Sequence, residues 1–397
     1  MRILCVFGQH NYGDAARGEG VEYTHFLPAL RALGHETFFF ESFARGGYDD
    51  FAALNRSLLK CVEEVRPDVV FTVLMMAEVW LESVRLIRRA GCKVLNWSTD
   101  DSWKYREFSR LIASDLDLYA TTCPDALAWY MRDGITNVHL TQWAASSAWL
   151  TAPKPAGQCR YPVSFIGSAY GNRPKRIAAL RAAGITVECF GHGWPNGPVA
   201  APLIPQIVRD SVVSLNFSEA GQGAGRQIKS RVFEVPASGG MLLTEASPGL
   251  GDYFVPDVEV LQFSNDAELI SKTRQLLNDA SWRDSMACAG HARAGRQHTY
   301  ETRLRNLLEQ LAGLAPVAPG QTSIDWVEFE RVARRHPPGL GLKLTRILLI
   351  ALCVLLWGRS RGPRAARRIL FELCWRFMGR RTYTASGWPG RLFFRES

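Results

Sequence analysis

The 397-residue chain has 47% hydrophobic and 21% charged residues, a globular rather than a disordered composition, and room for two ordinary α/β domains plus an appendage. Its nine cysteines are odd in number, scattered, and form no Cys-x-x-Cys pair, which argues against a disulfide framework or a zinc site and for a reducing, cytoplasmic setting. The net charge of +9 is uneven: residues 331–397 hold 15 Lys+Arg against 2 Asp+Glu, a local +13, which leaves −4 for residues 1–330 and excludes a basic, nucleic-acid-binding body.

The first part alternates short apolar runs with amphipathic stretches. ILCVF (3–7) is too short for a signal-peptide core and suits a first buried strand. ETFFFE (36–41), DVVFTVL (68–74), KVLNWS (93–98) and LYATTC (118–123) continue the series, with helical stretches such as EGVEYTHFLPALRALG and FAALNRSLLKCVEEV between them. Continuous apolar strands alternating with helices predict a parallel sheet covered on both faces. The Pro-rich stretch TAPKPAGQCRYP (151–162) reads as a linker. A second alternation follows: PVSFIGS (162–168), a helix over 175–183, TVECFG (186–191), SVVSLNF (211–217), a helix around RVFEVPAS, GMLLTE (240–245) and VEVLQF (258–263). Helices over 266–278 and from 281 to about 311 close this unit. The expected domains are 1–152 and 160–312, two Rossmann-like units facing a ligand cleft, followed by a tail over 313–397.

In the tail, APVAPGQ (315–321) is linker-like and SIDWVEFERVARRH suits one amphipathic helix. The twelve-residue run ILLIALCVLLWG (347–358) is shorter than the ~20 residues of a perpendicular span. With PRAARRILFELCWRFMGRR after it, the basic and apolar residues from 338 to 397 predict peripheral contact with an anionic membrane surface. The other reading is an extra helical layer packed on the domains. If the tail only touches membrane, deleting it from residue 338 leaves a folded domain pair.

No Walker loop, Gly-x-Ser-x-Gly, His-Glu-x-x-His or Gly-x-Gly-x-x-Gly after the first strand is present. The informative segment is GRQIKSRVFEVPASGGMLLTE (225–245). Arg226, Lys229 and Arg231 precede Glu234 on a predicted helix, and Gly239 and Gly240 turn into a strand. Cations can neutralise a diphosphate, a carboxylate can accept from a ribose diol, and glycines let backbone approach closely. The same residues also fit a solvated helix face.

Taken in order, Arg231-x-Phe233-Glu234, Gly239-Gly240, Gly249-Leu250, Phe254-Val255-Pro256, Asp266-x-Glu268-Leu269 and HTYETR (298–303) resemble the nucleotide-sugar domain of GT-B glycosyltransferases, in the branch related to the spore maturation protein CgeB. The resemblance covers about residues 1–312. It implies an α/β fold of GT-B type and transfer of a sugar from a nucleoside diphosphate sugar to a hydroxyl acceptor, with no metal or other cofactor. An epimerase of the same fold and an inactive binding protein remain alternatives. The resemblance assigns Glu234 to the ribose, and Arg173, Lys229 and Arg231 to the phosphates. In the Glu-x7-Glu pattern of retaining relatives, Arg226 stands where the first Glu would be, so stereochemistry is left open.

In the loop GSAYGNRPKR (167–176), Gly167 and Ser168 could offer donors to a diphosphate and Arg173 a charge, while Lys175 reads as solvated. His192, in FGHGW (190–194), could frame the base. In GQHNYGD (8–14), His10 follows the first strand on the expected acceptor side. Asp100 and Asp101 could serve as acceptor partner or general base, with at least one expected to cap a helix. Asp115 and Asp117 precede their strand and are not read as metal ligands.

Overall fold

A computed structural model describes residues 1–219, 225–314 and 323–396. It divides into two compact units, residues 1–141 with 306–397, and residues 142–305. Both differ from the expected boundaries. The proposed linker belongs wholly to the second unit: the Thr151 amide donates to Ala237 O, Lys154 pairs with Asp210 at 2.5 Å, and buried Arg283 donates to Lys154 O, Ser211 O and Val212 O. The linker expected at 315–321 lies outside the described residues.

Unit 1 holds a six-stranded, all-parallel sheet: β1 (Arg2–Phe7), β2 (Glu36–Glu41), β3 (Val69–Thr72), β4 (Lys93–Ser98), β5 (Leu118–Thr121) and β6 (Val138–Leu140), in the order β2-β1-β3-β4-β5-β6. β1 and β3 bury nearly every residue, as strands covered on both faces must. Helix Phe51–Val65 starts at Asp50, whose carboxylate accepts from the Ala53 amide, and turns its apolar face into the sheet.

Unit 2 holds five parallel strands, β7 (Tyr161–Ile166), β8 (Val187–Phe190), β9 (Ser211–Asn216), β10 (Leu242–Glu245) and β11 (Leu261–Phe263), in the order β11-β10-β9-β7-β8. The helix expected from 281 to 311 is two, Ala280–Gln297 and Tyr300–Gly313. Between them His298 leaves the helical path: its Nε2 meets Tyr253 O at 2.7 Å and its carbonyl accepts from the Ala145 amide. Burial pushes the His298 pKa down to about 4.

The tail is a structural layer of unit 1. Trp326 donates to Glu63, Arg56 binds Glu330 with two bonds, and Phe329 and His336 lie against buried Trp80. Arg380 bonds Asp115, the Tyr383 hydroxyl donates to Glu107 O, and Phe394 meets Phe51 edge-on at 4.8 Å. The helix Leu340–Met378 is broken at Gly358, where φ is +78° and only glycine is comfortable.

Candidate functional site

In an open parallel sheet, ligands are received beyond the strands' carboxyl ends, where the strand order reverses. In unit 2 the chain runs from β7 to β8 on one side and then returns to β9 on the other, so the reversal falls between β7 and β9. A cavity of about 250 Å³ opens there, lined by Asn172, Arg173, Arg176, Phe217, Glu219, Gly225, Arg226 and Glu245. Those residues come from the loop and helix after β7, the stretch after β9, and the end of β10.

The electrostatics centre on Glu245, which is buried at the end of β10. Its Oε1 faces Arg176 at 2.9 Å and Arg226 at 3.2 Å, and its Oε2 accepts from the Ser218 amide at 3.0 Å. The Arg176 guanidinium lies over the rings of Phe217 and Phe263. Arg173 is 8% exposed, donates to Ser168 O and the Tyr170 hydroxyl, and stacks over Tyr170 at 3.9 Å. Arg173 Nε and one terminal Arg176 nitrogen are buried without a hydrogen-bond partner among the described residues. Burial lowers the Arg173 pKa, opposed by Tyr170 and Glu219, while the nearby Arg231 charge lowers it further. Three arginines line the cavity beside Glu219 and Glu245, with Asp266 3.6 Å from Arg176, and the unpartnered Arg173 and Arg176 nitrogens leave spare donors, which suits an anion.

The expected donor residues distribute unevenly around this cavity. Arg173 and Arg226 line it. Arg231 and Glu234 form a pair at 3.0 Å on helix Arg231–Ala237, with Glu234 buried at 4% exposure. Lys229 is half-buried just before that helix and is not among the lining residues.

The glycines of the expected site hold chain segments close together. The Gly167 amide is spent on Phe190 O and its carbonyl on the Trp194 indole, so Gly167 has no backbone donor for a phosphate. Ser168 gives its carbonyl to Arg173 and so helps orient that guanidinium. Gly239 has φ +76°, and a Cβ there would sit 2.5 Å from Thr151 O; one on Gly240 would sit 2.5 Å from Val208 Cγ1. Both glycines let chain segments pack and do not line the cavity. His192 has an exposed side chain, accepts from the Ala169 amide through its carbonyl, and does not line the cavity either. Glu245, Arg176, Glu219 and Phe217 were not foreseen. The signal for them is a polar residue closing an apolar strand, as in LLTE, or following one, as in NFSE.

In unit 1 the reversal falls between β1 and β3. His10 lies half-buried after β1, in a loop closed by the Asn11 side-chain amide on the carbonyls of Arg17, Gly18 and Glu19. Asp100 occupies the N-cap position of the turn Asp101–Lys104 but caps nothing, pairing instead with Lys104 at 3.4 Å. Asp101 is corrected from a candidate base to a core residue: it is buried, and its oxygens accept from Ser98 at 2.6 Å, Ser109 at 2.5 Å and Tyr130 at 3.0 Å. Neither aspartate caps, against the expectation that one would. Burial raises the Asp101 carboxyl, so its contribution to stability falls as pH rises above the ordinary value of 3.8. Asp101→Ala strands three buried hydroxyls, and we expect a loss of about 3 kcal/mol in urea unfolding.

Glu22, within the expected helix EGVEYTHFLPALRALG, opens the π-helical turn Glu22–Phe26. Burial raises its carboxyl, and Asp100 acts in the same sense.

Two parallel Rossmann-like sheets, one with an arginine-lined cavity at its switch point, have the architecture of the GT-B fold. Residues 173–309 match a family model described as glycosyl transferase-like, which spans the cavity's Arg173, Arg176, Arg226 and Glu245. Among curated proteins none matches in sequence. Among solved structures, sucrose-phosphate synthase from Thermosynechococcus elongatus aligns with a TM-score of 0.57 at 13% identity, over 79% of this chain and 100% of that one. HepE of Anabaena, solved with UDP, aligns with 0.56 at 13%, over 79% and 100%. A glycosyltransferase from Rickettsia africae aligns with 0.57 at 10%, over 79% and 99%.

Proposed function

We propose that the protein moves a sugar from a nucleoside diphosphate sugar to a hydroxyl acceptor, within the branch related to CgeB. The observation that carries this reading is the position of the arginine cavity at the β7/β9 reversal. Arg173, Arg176 and Arg226 hold the diphosphate, with Lys229 and Arg231 adding charge beside it. Glu234, oriented by Arg231, takes the ribose diol. As the glycosidic bond breaks, negative charge builds on the departing diphosphate, and fixed guanidinium groups stabilise it there. These cations do the work a divalent metal would do, so transfer should survive chelation.

In unit 1, His10, Glu22 and Asp100 lie in segments that follow β1 and β4. They orient the acceptor hydroxyl, and a carboxylate takes its proton. Nine free thiols support a cytoplasmic setting, and the basic, apolar tail supports contact with the inner face of a membrane. The acceptor is then a lipid-linked or surface glycan.

Calorimetric titration of full-length protein with UDP, ADP and GDP tests the donor side. We expect one of them to bind with a salt-dependent affinity. If none binds, and no nucleotide sugar is consumed in mass-spectrometric assays with or without acceptor, the reading fails. Consumption without any acceptor would favour the epimerase.

A further inference from the structure

The apolar helix over residues 340–357 has two faces, and only one of them is used by the protein. Leu342, Leu349, Ile350 and Cys353 turn inward onto Ala366, Leu370 and Cys374 of the following helix, and Cys353 is fully buried. The chain folds back at Gly358 so tightly that a Cβ on Gly362 would strike Val354. Arg346 fastens the other end, donating to Leu392 O at 2.7 Å and pairing with Glu396 at 2.6 Å. The opposite face carries Leu340, Leu344, Ile347, Leu348 and Leu355, each more than half exposed. These positions recur at helical spacing and form one stripe. Such a continuous exposed apolar stripe costs stability in water unless something covers it.

The cover is identified by the surrounding charge. Lys343, Arg359, Arg361 and Arg364 are exposed and have no acidic partner within 4.0 Å among the described residues. A leucine stripe bordered by unpaired cations is complementary to a surface with an apolar interior and an anionic rim, which is a lipid leaflet. The helix is long and apolar enough to cross a membrane, its 18 residues reaching about 27 Å at 1.5 Å each, but one face packs on the protein through Cys353, Leu349 and Ile350, which favours a position in the plane of one leaflet.

We propose that the helix over 340–357 lies flat in one leaflet of an anionic membrane, its Leu340–Leu344–Leu348–Leu355 stripe among the acyl chains and its flanking cations at the headgroups. This rests on the membrane contact proposed above and makes it insertion rather than electrostatic adhesion.

The test is co-sedimentation of the full-length protein with vesicles of phosphatidylcholine alone or mixed with phosphatidylglycerol, at low and high salt. The parent should bind the anionic vesicles and keep part of that binding at high salt. Combined Leu344→Ser, Leu348→Ser and Leu355→Ser should lower binding on the order of a hundredfold at both salts. Combined Lys343→Glu, Arg359→Glu and Arg361→Glu should act mainly at low salt. A polarity-sensitive fluorophore at Leu348→Cys, in a Cys288→Ser background, should shift to the blue on binding. If high salt abolishes binding and the serine variant binds like the parent, contact is electrostatic and insertion is wrong. If no vesicle is bound and the protein sediments as a dimer that the serine variant dissolves, the stripe joins two copies and the proposal is overturned. Donor titration of the same samples reports separately on the transferase reading, because no substituted residue lines the cavity.

Discussion

A chain cut after residue 337 should not yield a soluble unit 1. The expectation of a freely removable tail is reversed by what the tail covers. Phe394 closes on Phe51, and Gly390 approaches the same ring so closely that a Cβ there would meet Phe51 Cδ2 at 3.2 Å. Tyr383 stacks edge-on with Phe108 and donates to Glu107 O. Arg380 bonds Asp115, and the Ala385 carbonyl takes the Nδ1 of His336. Three buried aromatic side chains go with the tail, Tyr383, Phe393 and Phe394, and at about 1.5–3 kcal/mol each their loss removes roughly 5–9 kcal/mol. A whole domain has only about 5–15 kcal/mol to lose. We expect the truncated chain to appear in inclusion bodies, or to bind a hydrophobic dye and melt without a cooperative transition. A truncated protein with the parent's melting temperature would show that the tail is an ornament. The membrane test above therefore uses substitutions on the outer stripe, where nothing in the protein is touched.

The strands were legible because a parallel sheet covered on both faces demands uninterrupted apolar runs, and ILCVF, KVLNWS and SVVSLNF could hardly be anything else. The tail was harder. Its apolar residues circle the helix because one side faces protein and the other is exposed, so no single amphipathic face could be drawn. The Asp100–Asp101 pair shows a second limit. Adjacent residues at a helix start point in different directions, and only the surroundings decide that Asp101 meets Ser98, Ser109 and Tyr130 while Asp100 does not. The cavity shows a third. Arg176, Phe217, Glu219 and Glu245 are joined only by strand order, which no linear window displays. The segment 225–245 reads as one cluster, yet Arg226 lies in the stretch before the helix and lines the cavity, while the helix Arg231–Ala237 keeps Glu234 paired with Arg231. Gly239 and Gly240 were foreseen as special for a sound reason, close approach, but what approaches is the protein's own chain.

Arg176→Leu should weaken donor binding roughly ten- to a hundredfold while leaving the fold intact. The leucine keeps an apolar body against Phe217 and Phe263, so the packing under the guanidinium survives. What disappears is a charge with an unpartnered nitrogen at the cavity wall. Glu245 keeps Arg226 and the Ser218 amide, so its carboxylate is not left alone. A charge-assisted hydrogen bond contributes about 1.5–3 kcal/mol, which corresponds to a loss of roughly ten- to a hundredfold in affinity. Calorimetry with the nucleoside diphosphate should read that loss, and it should shrink as salt is raised, because part of it is long-range attraction. Arg176→Lys separates charge from shape: an ammonium keeps the attraction but not the planar fork, and it should recover only part of the affinity. Arg173→Leu should cost more, since that guanidinium is the more buried of the two and Tyr170 stacks on it. If folded Arg176→Leu protein binds donor like the parent, the phosphates lie elsewhere and the cavity at the β7/β9 reversal is not the donor site.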